Sequence, residues 1–505
     1  MSSEAHKKHS YGQILKSSSI IGGAQGINYL ISMVRVKVVA MLLGPSGVGL
    51  VGLYVSATGL VSTVAGLGIG SSGVREVAEA HGSGDGEKIA RTVKTLRRAC
   101  WATGTLGWLL CAALSYPLSV YAFGSGEHTL AVAILGATIL IGAVSGGQSA
   151  LIQGTRRIGD LARMNVLGAV SGTLVAVGLY GWLGQKGIVP VLIVTAAVNL
   201  GFSWWFARKI PVAPVSLTWP ETLGNSKRLI HIGVAFMYGA ILAAVVDLMI
   251  RSLIVKKCGL DANGIYQAAW GISGMFAGFI LNAMGTDFYP RLTAVANDNE
   301  HVNRLVNEQT EIGILLALPG LLVTLAFAPW AMHIFYSAKF LSGAELLPWF
   351  VVGVFCQVVS FPLGMIQMAK GATKWMYFGR TEGNLVNLGL TVLLIKNHGL
   401  IGVAWSFALF TYIHGLVVFG IARRLSKFAW TPVVVRLFLS AIGMIGAAFL
   451  AQKLTNDFFK LILGTVITGM TCLISLRGIS SRLGETHRIV KMVLKFPGGR
   501  LACGL

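Results

Sequence analysis

The sequence predicts an all-α polytopic membrane protein, and three observations predict it. Of its residues, 54% are hydrophobic and only 12% charged, about half the charged share of an ordinary soluble domain. Apolar runs of about 20 residues recur from end to end, each long enough to cross about 30 Å of hydrocarbon as a helix. The runs lack the alternation of barrel strands, and lipid tolerates only helices or closed barrels because every backbone group must be satisfied internally. A soluble fold is thereby excluded.

Fourteen candidate spans follow, at roughly 18–43, 46–72, 99–122, 129–152, 165–184, 188–207, 229–255, 265–289, 309–335, 347–369, 383–396, 400–422, 433–452 and 461–476. The run at 383–396 is short for a crossing. An even number puts both termini on one side, and charge says which. The N-terminal tail and the loops on its side carry 31 Lys and Arg, the opposite loops carry 7, and Arg35, Lys37 and Arg251 fall inside spans. Basic residues concentrate in cytoplasmic loops, so both termini are expected in the cytoplasm. The net charge of +22 then reflects orientation and gives no reason to expect nucleic acid. The tail before the first span is polar and basic without a cleavage pattern, so that span is expected to serve as an uncleaved anchor. Six cysteines (Cys100, Cys111, Cys258, Cys356, Cys472, Cys503) form no CxxC pair, which supports neither a metal site nor a disulfide framework.

Taken in order, residues 1–207 hold the first six spans. The loop after span two, GVREVAEAHGSGDGEKIARTVKTLRR, mixes acids, bases and apolar positions. It suits an interfacial helix as well as a solvated connector. Residues 208–228, with Pro211, Pro214 and Pro220, read as a cytoplasmic linker between lobes. Residues 229–424 hold six more spans, and 425–505 add two spans and a basic tail. An internal repeat supports this division: Gly49-Leu50 aligns with Gly264-Ile265 at an offset of 215. Both copies start from one side, the arrangement of parallel repeats related by a pseudo-two-fold along the membrane normal. The expected architecture is two six-helix lobes around a central cavity, plus two extra C-terminal helices.

Charge inside a span costs a few kcal/mol or more and persists where it faces a cavity or a partner. Arg35 lies 14 residues before Gly49 and Arg251 lies 13 before Gly264, so the two occupy nearly equivalent places in their repeats. Lys37 points about 200° away from Arg35 on the same helix, so at most one of the two is expected to face a central cavity, and Lys37, nearer the end of the span, can instead snorkel to the interface. Asp247 and Arg251 are spaced i,i+4 and can pair on one face. That pair either neutralises a buried arginine or lets a cation compete for Asp247 and free Arg251 for an anion. Asp287, before Phe288-Tyr289-Pro290-Arg291, is a second ion-coupling candidate or a mark of the interface. His231, His333 and His414 read as satisfied polar residues rather than proton carriers.

Gly47, Gly49 and Gly52 spell GxGxxG, but the dinucleotide fingerprint needs a preceding strand and this one opens a membrane span. The 64 glycines suit close helix packing at Gly22/Gly26, Gly66/Gly70, Gly142/Gly146 and Gly274/Gly278. Pro319 and Pro362 suit bends. No phosphate loop, HExxH or hydrolytic triad is present, so no catalytic residue, metal or cofactor is expected and the chain is not read as an enzyme.

The stretches LGPSGVGL and DFYPRL, with the spans around them, resemble the bacterial polysaccharide transporters. These are the O-antigen-type lipid-linked oligosaccharide flippases of the multidrug/oligosaccharidyl-lipid/polysaccharide exporter superfamily. The resemblance covers the first twelve spans. It implies alternating access in the bacterial inner membrane, with an undecaprenyl-diphosphate-linked oligosaccharide moved from the inner to the outer leaflet. Arg35, Lys37 and Arg251 would then bind the diphosphate, and a proton or sodium ion would act at Asp247 or Asp287. Membrane lipids, a glycan polymerase and glycosyltransferases are the further partners implied. A peptidoglycan-precursor flippase, an ion-coupled multidrug exporter and a non-transporting scaffold for glycan assembly remain as alternatives.

Overall fold

The computed structural model describes the backbone of residues 2–452 and 457–483, with side chains from residue 26 onward apart from 228, 231–232, 235–236, 276, 279–280, 282–287, 457 and 483. Among the described residues every regular element is a helix. In order these are α1 (Ser2–Ala65), α2 (Ile69–Gly82), α3 (Gly86–Ala113), α4 (Ser115–Phe123), α5 (Thr129–Gly154), α6 (Ile158–Leu183), α7 (Ile188–Ala207), α8 (Trp219–Cys258), α9 (Leu260–Ala294), α10 (Asn299–Ala326), α11 (Ala328–Phe335), α12 (Leu347–Ala369), α13 (Thr373–Ser426), α14 (Pro432–Ala451) and α15 (Asp457–Leu483). Among the described residues nine stretches are long and apolar enough to cross a membrane, or ten if the pair α3–α4, bent by 63°, counts as one. The protein is a multi-pass α-helical membrane protein.

Helices start where the sequence offers caps. Asp85 accepts from the backbone N–H groups of Glu87 and Lys88 to open α3, and Asp298 accepts from Glu300 and His301 to open α10. Thr218 and Glu221 form a reciprocal capping box at α8, with a proline in its first turn, which satisfies donors that no helical carbonyl can reach. The candidate interfacial segment after span two, residues 73–98, falls on α2 and the first half of α3, and α2 buries Ile69, Val77 and Ala80.

Two compact units make up the chain, Met1–Gly264 and Ile265–Leu505. The first extends beyond the expected linker because α8 packs into it: Leu248 of α8 is buried with Leu53, Ala57 and Ala122. The linker itself is strapped down. Lys94 donates to the Val215 carbonyl at 2.5 Å, Arg98 to that of Leu217 at 2.9 Å, and Arg157 to that of Lys209 at 2.9 Å.

The offset of 215 recurs in the backbone. Gly44 breaks α1 at φ 68°, ψ −174°, and Gly259 separates α8 from α9 at φ 90°, ψ 171°. Gly184 ends α6 at φ 56°, ψ −134°, and Gly399 breaks α13 at φ 58°, ψ −140°. Such angles carry a steric penalty for residues with a Cβ. At the second pair the chain doubles back: a Cβ on Gly187 would meet the Leu179 carbonyl, and one on Gly402 the Leu394 carbonyl, eight residues earlier in each case. Eight residues of straight helix span about 12 Å, so each break is the tip of a helical hairpin. The first pair shows reciprocity within the first unit. A Cβ on Gly49 would strike the Leu260 carbonyl and one on Gly264 the Pro45 carbonyl, and Asn263 donates to the Gly49 carbonyl at 2.8 Å.

Packing glycines are not those the GxxxG spacing singles out. A Cβ on Gly26, Gly70, Gly142, Gly146 or Gly278 would meet nothing within 4 Å; Gly22 lies outside the described side chains. Close approach occurs instead between α3 and α5, at Gly104, Gly107, Gly136 and Gly147. The reason is physical: small-residue spacing permits close helix contact, but neighbours decide which face receives it. The expected prolines do lie inside helices, Pro319 in α10 and Pro362 in α12.

Candidate functional site

The charged residues that the sequence places inside spans of the first unit fall in two places. On α8, one helical turn brings Arg251 onto Asp247, with Nε to Oδ2 at 2.9 Å. Ser56, on the part of α1 after the Gly44 break, donates its hydroxyl to the same oxygen at 2.5 Å. The two charges are unequally placed: the Arg251 side chain is 7% exposed and that of Asp247 42%. The carboxylate therefore faces open space and the guanidinium lies behind it. Burying an arginine is tolerable here because a carboxylate sits on it, and breaking a buried ion pair by removing one member is destabilising. The backing is firm, since the buried Ser252 hydroxyl donates to the Tyr121 carbonyl of α4 at 2.5 Å and Lys256 lies 4.7 Å from the Tyr121 ring.

Arg35 has different neighbours. It is partly buried on α1 before the Gly44 break, with Nη1 3.7 Å from where a Cβ on Gly172 of α6 would sit. It makes no hydrogen bond or ion pair among the described residues. A guanidinium in an apolar helix without a fixed counter-charge is costly and open to an anion. Lys37, two residues on, is partly buried and does have a partner. Asp287 lies in α9, but its side chain is outside those described.

The second unit holds a pair that the span boundaries hide. Glu382 and His414, from the two arms of α13, meet at 2.8 Å between Oε2 and Nδ1. Glu382 is 13% exposed, and its other oxygen is buried without a hydrogen-bond partner. Gly379 and Gly383 make room for the imidazole, with Gln367 alongside. Sequence reasoning placed Glu382 one residue outside a run of only 14 residues. That shortness was the available signal, because α13 begins at Thr373. Among the described residues no cluster of His, Cys, Asp and Glu could hold a metal ion.

Residues 14–296 match the family described as polysaccharide biosynthesis protein, more than half of the chain. The chain belongs to this family. Over 386 residues it is 23% identical to the Lipid III flippases of Escherichia coli K12 and Shigella flexneri, covering 75% of this chain and 90% of each relative. Several solved structures share its fold, two of them at a TM-score of 0.65. The inward closed Lipid II flippase MurJ matches with a TM-score of 0.65 at 16% identity, over 92% of this chain and 99% of that one. An inward-facing multidrug resistance transporter of the MATE family and MOP superfamily also has a TM-score of 0.65, at 15% identity, over 79% and 95%. The relatives are flippases and transporters rather than enzymes, and the chain shares the helical fold of these two structures.

Proposed function

We propose that this polysaccharide biosynthesis family member is a lipid-linked oligosaccharide flippase. It moves an undecaprenyl-diphosphate-linked repeat unit of the O-antigen type from the inner to the outer leaflet of the inner membrane by alternating access. The observation that carries the reading is Arg35, an intramembrane guanidinium with no partner among the described residues. A diphosphate cannot cross hydrocarbon bare, and a guanidinium replaces its water with paired, charge-assisted hydrogen bonds. Lys37 and Arg251 belong to the same binding set. Arg251 is held by Asp247 in the described state, so it reaches a phosphate only when a proton or sodium ion takes over the exposed carboxylate. Asp287 is retained as a second coupling position, and Glu382–His414 offers a third.

The repeat and the glycine breaks support two six-helix lobes related by a pseudo-two-fold. Fourteen crossings follow if each of the stretches Gly26–Ala65, Ile158–Ala207 and Thr373–Ser426 crosses twice and α3–α4 and α9 cross once each. The basic loops support cytoplasmic termini. A peptidoglycan precursor is the second reading of the substrate, favoured by the 92% of the chain aligned with the lipid II flippase fold.

Complementation tests the reading. Arg35→Ala, at matched membrane levels, is expected to abolish glycan display in a strain lacking its own O-antigen flippase, with Arg35→Lys intermediate. Undiminished display by Arg35→Ala would remove the diphosphate role. Rescue of a strain depleted of its lipid II flippase, without rescue of glycan display, would move the assignment to the peptidoglycan precursor.

A further inference from the structure

At one end of the first unit, α3, the C-terminal turns of α5 and α7 and the strapped linker enclose a pocket of about 440 Å³. Its lining pairs two arginines, Arg97 and Arg208, with Gln148, Trp204, Ile210 and Val212, and contains no carboxylate. Arg97 is exposed and makes no hydrogen bond or ion pair among the described residues. The Arg208 guanidinium carbon lies 4.8 Å from the ring centre of Trp204 and 4.7 Å from that of Trp205. A guanidinium held by ring faces keeps its in-plane N–H donors available. Trp204, Trp205 and Trp219 are all more than half exposed, as befits residues at the level of lipid headgroups.

We infer that this pocket binds the phosphate of an anionic phospholipid from the leaflet on that side, at a site separate from Arg35 and Arg251. Two guanidinium groups without a competing acid match a phosphodiester. The indole together with Ile210 and Val212 gives the glycerol and upper acyl carbons a surface that free phosphate would not use. The straps from Lys94, Arg98 and Arg157 to the linker carbonyls hold Ile210 and Val212 in the wall. Headgroup occupancy therefore anchors the linker.

The test uses the full-length protein, delipidated in detergent. Retained lipid is read by native mass spectrometry after adding phosphatidylglycerol, phosphatidylcholine or inorganic phosphate. Phosphatidylglycerol is expected to be retained over phosphatidylcholine, and Arg97→Gln/Arg208→Gln to weaken retention by about fivefold for each arginine. Equal charge removal at the exposed Arg380 and Arg423 is expected to leave it unchanged. Equal retention by wild type and double variant, equal retention of both lipids, or displacement of phosphatidylglycerol by millimolar inorganic phosphate would each overturn the proposal; the last would mean a small-anion site. Should the double variant lose its unfolding transition, photo-crosslinking of wild type decides. Label from a headgroup-reactive phosphatidylglycerol is expected on Gln148 or Trp204, and label only elsewhere would refute the site.

Discussion

The two units bury an acid–base pair in different ways. Asp247–Arg251 joins a carboxylate to a guanidinium, whereas Glu382–His414 joins one to an imidazole. Position follows the same division. Arg251 is sealed and its acid is open, while Glu382 is the more buried member of its pair and His414 the more exposed. The first unit therefore presents its acid to open space and the second its base.

The largest expected effect breaks the first pair. Asp247→Ala removes the carboxylate from a buried ion pair and should cost roughly 3–5 kcal/mol, read as a lowered unfolding midpoint and reduced membrane levels. Adding Arg251→Leu should restore part of that loss, because the buried charge is then gone. At Glu382→Gln the loss should be smaller, about 1–3 kcal/mol for a disrupted buried hydrogen bond. His414→Asn should cost a similar amount, read by the unfolding midpoint, because it removes the imidazole that Glu382 meets at 2.8 Å. Gly172→Leu should cost about 1–3 kcal/mol by overpacking and displace Arg35, lowering transport more than stability. The smallest effect lies outside the membrane. Hydrogen bonds from the backbone and side chain of His301 hold the Asp298 carboxyl below its ordinary range. Its contribution is thus complete above that range and fades as pH falls through the depressed value. Asp298→Ala should destabilise α10 slightly at neutral pH and not at strongly acid pH, by hydrogen exchange of its first turn.

Much of the fold was legible because lipid leaves few options. Hydropathy gave the helices, and the repeat offset of 215 recurs in the backbone angles of Gly44 and Gly259 and of Gly184 and Gly399. Site residues were less legible. Asp247 and Arg251 could be paired from their spacing, but which of them would be exposed depends on α1 and α4, elements far away in sequence. Glu382 escaped because a glutamate ends an apolar run on any hydropathy count, although the helix continues through it. Packing glycines were misplaced because spacing describes one helix and contact requires two.

The hairpin tips at Gly184 and Gly399 also bear on how the protein is made. A chain entering the membrane from the ribosome must commit pairs of apolar segments before distant partners exist. A reversal written into one glycine lets two segments enter as a unit. Gly399→Val should therefore show first as mistargeted or degraded nascent chain, rather than as a lower melting point in whatever protein survives.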